Sequence, residues 1–334
     1  MLSKRYKHLI DSIGQLLQLG RQKAFQQVNN ILVQTYWEIG RQIVLFEQEN
    51  RDTAEYGSKL FENIAGELKK RYGKGFSRSN VIYMRLLYLK YPIGQTLSNQ
   101  LSWSHYVELL GVSDDLARTF YEKECLASHW SIRELRRQIN SMLFERLALS
   151  KDKKGVLALA KKGHFVEMPE DIIKDPYVLE FLKIPDDYRY SEKELEQKLI
   201  DNMRDFLLEL GKGFSFVARQ FRITLNNKHY YVDLVFYHHI LKCFVLIDLK
   251  LGTVTHQDIG QMNLYLNYFK KEEQHQGDNE PIGIVLGAEK DHVLVEYALG
   301  GMSNKLFASK YQLSLPDKKL LQSAVEQIIH HRQG

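Results

Sequence analysis

The stretch CFVLIDLKLG (243–252) is apolar enough to be a buried strand, yet it carries Asp248 and Lys250 two residues apart. Removing a charge from water is costly unless the charge is paired. Side chains alternate along a strand, so Asp248 and Lys250 share one face and Ile247, Leu249 and Leu251 the other. The preceding run, HYYVDLVFY, holds a single acid, Asp233. A hairpin turning at about Ile240-Leu241 brings Asp233 near Asp248, where like charges destabilise the pair. A divalent cation between them reverses that sign, and Mg²⁺ suits such a site because it prefers carboxylate oxygens and keeps several waters. A third acid comes from a helix at 191–210, whose apolar positions include Leu195, Leu199, Ile200, Met203 and Leu207. Glu196 falls on the Ile200–Met203–Leu207 side, toward the core edge, whereas Glu192 lies on a more polar flank. The bland alternative is an Asp248–Lys250 salt bridge on a solvated face, with Asp233 and Glu196 incidental.

The elements that must position these residues begin near residue 190. SEKELEQKLIDNMRDFLLELGKG is a helix capped by Ser191 with Glu194 and stopped at Gly211. Three strand-like runs follow, FSFVARQFRITL, HYYVDLVFY and CFVLIDLKL, with Asn226-Asn227 as a turn between the first two. A second helix over roughly 256–270 precedes the strands PIGIVLG and VLVEYAL, then YQLSLP and a helix from about Asp317. This order implies an α/β domain with a mixed sheet. Residues 1–150 read as helical throughout, from apolar spacing of three and four. Their last helix, SIRELRRQINSMLFERL (131–147), opens on a Ser131–Glu134 capping pair. The expected organisation is α+β overall: a helical domain at 1–150, a linker at 151–170 whose VLALA core (156–160) could be a short element, and an α/β domain at 171–334.

Length and composition are those of a globular protein: 334 residues, 44% hydrophobic and 26% charged. No run approaches the ~20 apolar residues of a membrane span, and Asp11 interrupts any signal-like segment at the N-terminus. Cys125 and Cys243 lie far apart and form no metal-ligand spacing, which implies a reduced, cytoplasmic setting. Of the chain's 46 Lys+Arg and 41 Asp+Glu, residues 1–150 hold 21 and 15, leaving 25 and 26 for the rest. The basic excess therefore lies in the first part and points weakly to a polyanionic partner.

A helix Glu, a strand Asp and (D/E)xK on the next strand resemble the PD-(D/E)xK nuclease superfamily. Nearly the whole chain resembles the YhcG-like bacterial proteins, which join a helical N-terminal domain of unknown function to such a nuclease domain. The matching phrases are YWEIGRQIV, LSWSHYVELL, FYEKE, WSIRELRRQI, LELGKGFSFVARQ, YYVDLVFYH, LIDLKLG, GQMNLYLNY and PIGIVLG. Asp248 stands where Glu is commoner, which shortens the acid by a methylene. The resemblance implies a restriction-endonuclease-like fold and metal-dependent phosphodiester hydrolysis, with Mg²⁺ as cofactor and Mn²⁺ as its substitute. It implies that Asp233 and Asp248 hold the metal, that Lys250 orients or deprotonates water and stabilises phosphate charge, and that Glu196 helps hold metal or water. Gln220 and Gln261 match polar family positions that contact water or phosphate, although Gln261 reads equally as a helix-surface residue. DNA is the expected substrate, with RNA the other choice. The competing reading is a catalytically inactive nuclease fold serving as a DNA-binding or assembly module.

Residues 58–91 read as helix, glycine turn, helix, the layout of a helix-turn-helix, in which the second helix enters the major groove by its N-terminal residues. Lys74, Ser77, Arg78, Asn80 and Arg85 are the DNA-binding candidates, and the region is similar to the corresponding segment of ParB-type proteins. The alternative is a plain bundle with Tyr83, Leu86, Leu87 and Leu89 in its core, serving a partner protein or a homo-oligomer. Arg133, Arg136 and Arg137 read as a solvated basic face. GKGFS occurs at 73–77 and 211–215, but Gly follows each Lys, so helix capping explains the glycines better than a nucleotide loop.

Overall fold

The computed structural model describes residues 4–49, 59–185, 189–300 and 303–330. Position 58, the first of the expected helix-turn-helix, lies outside them. Contacts divide the chain into two compact units, 1–136 and 137–334, ahead of the expected boundary at 150.

The first unit is helical: α1 (Lys4–Glu49), α2 (Leu60–Tyr72), α3 (Arg78–Lys90), α4 (Trp103–Leu110), α5 (Asp115–Ser128) and the start of α6 (Ile132–Asn140). Gly40 of α1 lets that helix run against α3, because a Cβ there would collide with the Met84 carbonyl. In α3 the buried side chains are Val81, Met84 and Leu87, whereas Leu89 is exposed. The core stripe of α3 is thus rotated from the one expected at Tyr83, Leu86, Leu87 and Leu89.

In the second unit, α7 (Leu143–Ala148) and α8 (Lys153–Lys162) precede the two-residue strand β1 (Tyr177–Val178). The expected single helix at 131–147 is broken, because Met142 takes a left-handed conformation between α6 and α7. Within the expected linker, α8 buries Val156, Leu159 and Ala160 and is capped by Asp152. The chain continues through α9 (Glu192–Asp201), α10 (Met203–Leu210), β2 (Phe214–Leu225), β3 (Lys228–His238), β4 (Cys243–Val254), α11 (His256–Tyr268), β5 (Ile282–Lys290), α12 (His292–Leu299), β6 (Lys305–Gln312) and α13 (Lys318–His330).

Among the described residues the strands form one sheet of order β1-β6-β5-β4-β3-β2. Strands β2, β3 and β4 run antiparallel and the rest are parallel, so the sheet is mixed as expected. Asn226 and Asn227, both at positive φ, make a two-residue hairpin between Leu225 and Lys228, and Asn tolerates that conformation well. One sheet face packs Leu234, Ile247 and Leu249 against Leu195, Leu199 and Phe206 of α9 and α10. The other packs Val235 and Leu246 against Ile259, Met262 and Leu266 of α11.

Two expectations differ. VLVEYAL is the helix α12, not a strand; a short apolar run carries no decisive period. The last strand, β6, begins at Lys305, ahead of YQLSLP.

Candidate functional site

The β3–β4 ladder pairs His238 with Cys243 and ends at Leu234 with Ile247, so the next pair in register would be Asp233 and Asp248. Val232 and Leu234 belong to opposite cores although they are two residues apart, so the face of β3 inverts at Asp233. On β2, opposite this point, Gln220 sits at φ +47°. Left-handed backbone at a non-glycine costs about 1–3 kcal/mol and persists where the surroundings hold it. Asp233 Oδ2 accepts the Leu249 N–H at 2.8 Å, and Oδ1 accepts the Gln220 amide at 2.9 Å. The same amide donates to Glu196 Oε2 at 2.6 Å. One glutamine therefore ties the helix acid to the strand acid.

Asp248 is 2% exposed, and its Oδ2 lies 2.8 Å from Lys250 Nζ. Lys250 also stands 3.8 Å from Asp258 Oδ1 at the start of α11. Burial, then the charge of Asp233, holds the Asp248 carboxyl well above the usual carboxylate range, with Lys250 opposing. Burial raises Glu196. For Lys250, burial alone would lower the ammonium, but the Asp248 charge outweighs it and the net shift is upward. Glu196 Oε1 is buried without a hydrogen-bond partner, 3.7 Å from Arg219 Nε. An open cleft of about 770 Å³, lined by Glu192, Glu196, Arg219, Gln220 and Asp233 among others, exposes this end of the site.

These donors fit a hard divalent cation: two facing carboxylates, one of them hard to ionise unaided, and an acid oxygen with nothing donating to it. The fit is centred on Asp233 and Asp248. Glu196 reaches Asp233 through Gln220, and among the described residues no group of three or more His, Cys, Asp or Glu is gathered for a metal ion.

Gln261 hydrogen-bonds the Tyr265 hydroxyl, which donates to the Tyr231 carbonyl at 2.9 Å. Tyr265 is fully buried, and the charges of Asp248, Lys250 and Asp233 all act on its phenol. Tyr265, Asp258 and Arg219 escaped the sequence reading. The signals for Asp258 and Tyr265 were the Thr255–Asp258 capping box and the i, i+4 spacing of Gln261 and Tyr265.

In the first unit, Ser77 accepts the Asn80 N–H as the N-cap of α3, and the Asn80 side chain donates to Gly75 O at 2.6 Å and accepts from Trp103 Nε1 at 3.2 Å. Arg85 pairs with Glu47 at 2.6 Å, and Arg78 lies 3.6 Å from Glu62. Lys74 is exposed in the turn between α2 and α3. Of the expected basic face, Arg136 is exposed and paired with Glu108. Arg137 is not solvated: it is largely buried and paired with Glu180 and Glu209, since α6 turns that side inward. Gly73 and Gly211 each end a helix, at the C-termini of α2 and α10.

Residues 170–326 match the family described as the YhcG PDDEXK nuclease domain, and residues 12–146 match the DUF1016 N-terminal domain. The Escherichia coli (strain K12) protein named "Putative nuclease YhcG" is 40% identical over 348 residues, covering 95% of this chain and 92% of that protein. A repair endonuclease from Pyrococcus abyssi overlays at TM-score 0.28 and 22% identity, over 40% of this chain and 50% of that one. The EndoMS-dsDNA2 complex overlays at TM-score 0.27 and 15% identity, over 40% and 51%. The chain spans about half the length of these two solved structures.

Proposed function

We propose that this chain, which belongs to the YhcG family of PDDEXK nuclease-domain proteins, is a metal-dependent endonuclease that hydrolyses DNA phosphodiester bonds. Supporting this reading is one observation above all: Asp233 accepts the N–H of Leu249, between Asp248 and Lys250, and those two pair with one another, at a point where the sheet is distorted. Mg²⁺, or Mn²⁺ in its place, would be held by Asp233 and Asp248, with Glu196 at its edge. When bound it supplies a Lewis acid and an activated water. The Leu249 N–H and the Gln220 amide fix both oxygens of Asp233, so that carboxylate is oriented in advance. Lys250, held against Asp248 at 2.8 Å, orients the attacking water and offsets charge building on the phosphate. Tyr265 and Gln261 brace the α11 side of the site.

The test is a cleavage assay on plasmid, linear and single-stranded DNA, and on RNA, with Mg²⁺, Mn²⁺ or EDTA. Asp233→Ala and Lys250→Ala are each expected to lose at least ~10²-fold in rate. Undiminished cleavage by both variants, or activity in EDTA, overturns the site. No cleavage of any substrate by the wild-type chain with DNA binding intact would favour the inactive-module reading.

The first unit, with the basic excess, is the proposed DNA- or partner-binding part. Lys74 and Arg78 are its most accessible candidates, and Lys74→Ala with Arg78→Ala should weaken DNA binding and flatten its salt dependence. A cytoplasmic setting suits the two free, buried thiols, Cys125 and Cys243, each pushed up to about 12 by burial. Among the described residues, no helix is long and apolar enough to cross a membrane.

A further inference from the structure

Helix α1 is 46 residues long, yet its buried residues, Val33, Gly40, Ile43 and Val44, all lie in its second half. From Tyr6 to Ile31, ahead of those buried residues, the helix carries an apolar stripe at three-and-four spacing: Tyr6, Ile10, Ile13, Leu17, Val28 and Ile31, each between 43% and 65% exposed. Gly20 and Ala24 continue the same stripe. At about 100° per residue, the centre of the stripe lies roughly 160° around the helix from the face bearing Val33, Gly40, Ile43 and Val44. The stripe is therefore not an extension of the core that the second half of α1 enters. It spans about 40 Å of helix.

We propose that this stripe is a dimer interface, covered by the same stripe of a second copy running antiparallel about Leu17. Exposure supports self-pairing. The six residues, with Leu9 and Leu16 on their flank, are each between 43% and 69% exposed, a run of neighbouring apolar side chains that marks an interaction surface rather than scattered surface residues. A spacing of three and four sustained along the stripe is the pattern of two helices packed along a seam.

Charge and volume select the direction. Parallel pairing would lay Lys4, Arg5 and Lys7 beside their own copies, and likewise Arg21 and Lys23. Antiparallel pairing carries Lys4, Arg5 and Lys7 to opposite ends, beside the uncharged segment 27–32, and sets Asp11 near Arg21 and Lys23. It also places the large Ile10 and Ile13 against the small Ala24 and Gly20 of the other copy. The surface is isologous, as a two-fold dimer requires.

Light scattering on the full chain as it leaves a sizing column tests this directly. The expected mass is twice 39.2 kDa, and Leu17→Asp is expected to give 39.2 kDa with unchanged helical circular dichroism. Direction is read by oxidative cross-linking. Chains carrying Ile10→Cys should join chains carrying Ala24→Cys, while Ile10→Cys alone should not join itself. A wild-type monomer at every concentration, or a Leu17→Asp dimer, overturns the interface. An Ile10→Cys homodimer overturns the antiparallel arrangement. None of these readouts uses a substrate, so their outcome is independent of the nuclease reading.

Discussion

Gln220 serves two acids with one amide from a backbone position that few side chains accept. The left-handed conformation and the double hydrogen bond act against each other on substitution, and that separates two effects. Gln220→Gly removes the bridge but relieves the strain, so the thermal midpoint should stay near that of the wild type. Gln220→Val keeps the strain, adds a β-branch, and should be less stable than the Gly variant by about 1–2 kcal/mol. Both should lose cleavage rate, because Asp233 and Glu196 are no longer tied together. Thermal denaturation beside initial rates checks this, and equal midpoints for the two variants would contradict it. The proximity of Asp248 and Lys250 was legible from a strand's period of two, and that of Asp233 from the hairpin that lays β3 beside β4. The sequence did not disclose the inversion of β3 at Asp233 or the α11 hydroxyl of Tyr265, since both depend on how three strands and a helix meet.

At the scale of elements, α10 is anchored to β1 through one buried acid. Glu209, fully buried, accepts from Arg146 at 2.6 Å, Arg137 at 3.2 Å and the Val178 N–H at 3.0 Å. Burial alone would raise its carboxyl, but Arg146, Lys174 and Arg137 together bring it down to about 2 from 4.5. A carboxyl depressed in the folded state adds stability above its unfolded value, and loses it as pH falls from about 4.5 toward 2. The size of that contribution is about 3 kcal/mol. Glu209→Gln should flatten the loss of stability between pH 4.5 and 2 while lowering stability at pH 7 by about 3–5 kcal/mol, since buried Arg146 is left without its counter-charge. Denaturant melts across that range test the slope, and an acid limb as steep as that of the wild type would rule the role out. Helical spacing around Arg133 and Arg136 puts Arg137 on a solvated face and cannot reveal the distant acids, Glu180 and Glu209, that bury it. The expected single helix at 191–210 is likewise two, α9 and α10: Ser191 and Gly211 mark the outer ends, and at the break Asn202 makes no side-chain cap hydrogen bond to α10.

A whole molecule paired through α1 carries two copies of the Asp233–Asp248–Lys250 site, and that stoichiometry has a kinetic consequence on duplex DNA. One bound particle with two sites can cut both strands in a single encounter, whereas a monomer must dissociate and return to cut the second. Supercoiled plasmid treated with the wild-type chain and Mg²⁺ should therefore pass to the linear form with little open-circular intermediate. Leu17→Asp leaves every residue of the site in place, so its cleavage of single-stranded DNA should match the wild type. On plasmid it should accumulate the nicked circle before any linear product. The apolar spacing of residues 6–31 was legible in the sequence as a helix, but not as an interface, because periodicity alone does not say whether a stripe faces its own core. Only the opposite placement of the buried residues in the second half of the same helix separates the two. A time course resolved on an agarose gel decides the matter. If Leu17→Asp linearises plasmid without a nicked intermediate, the two strands are cut without pairing through α1.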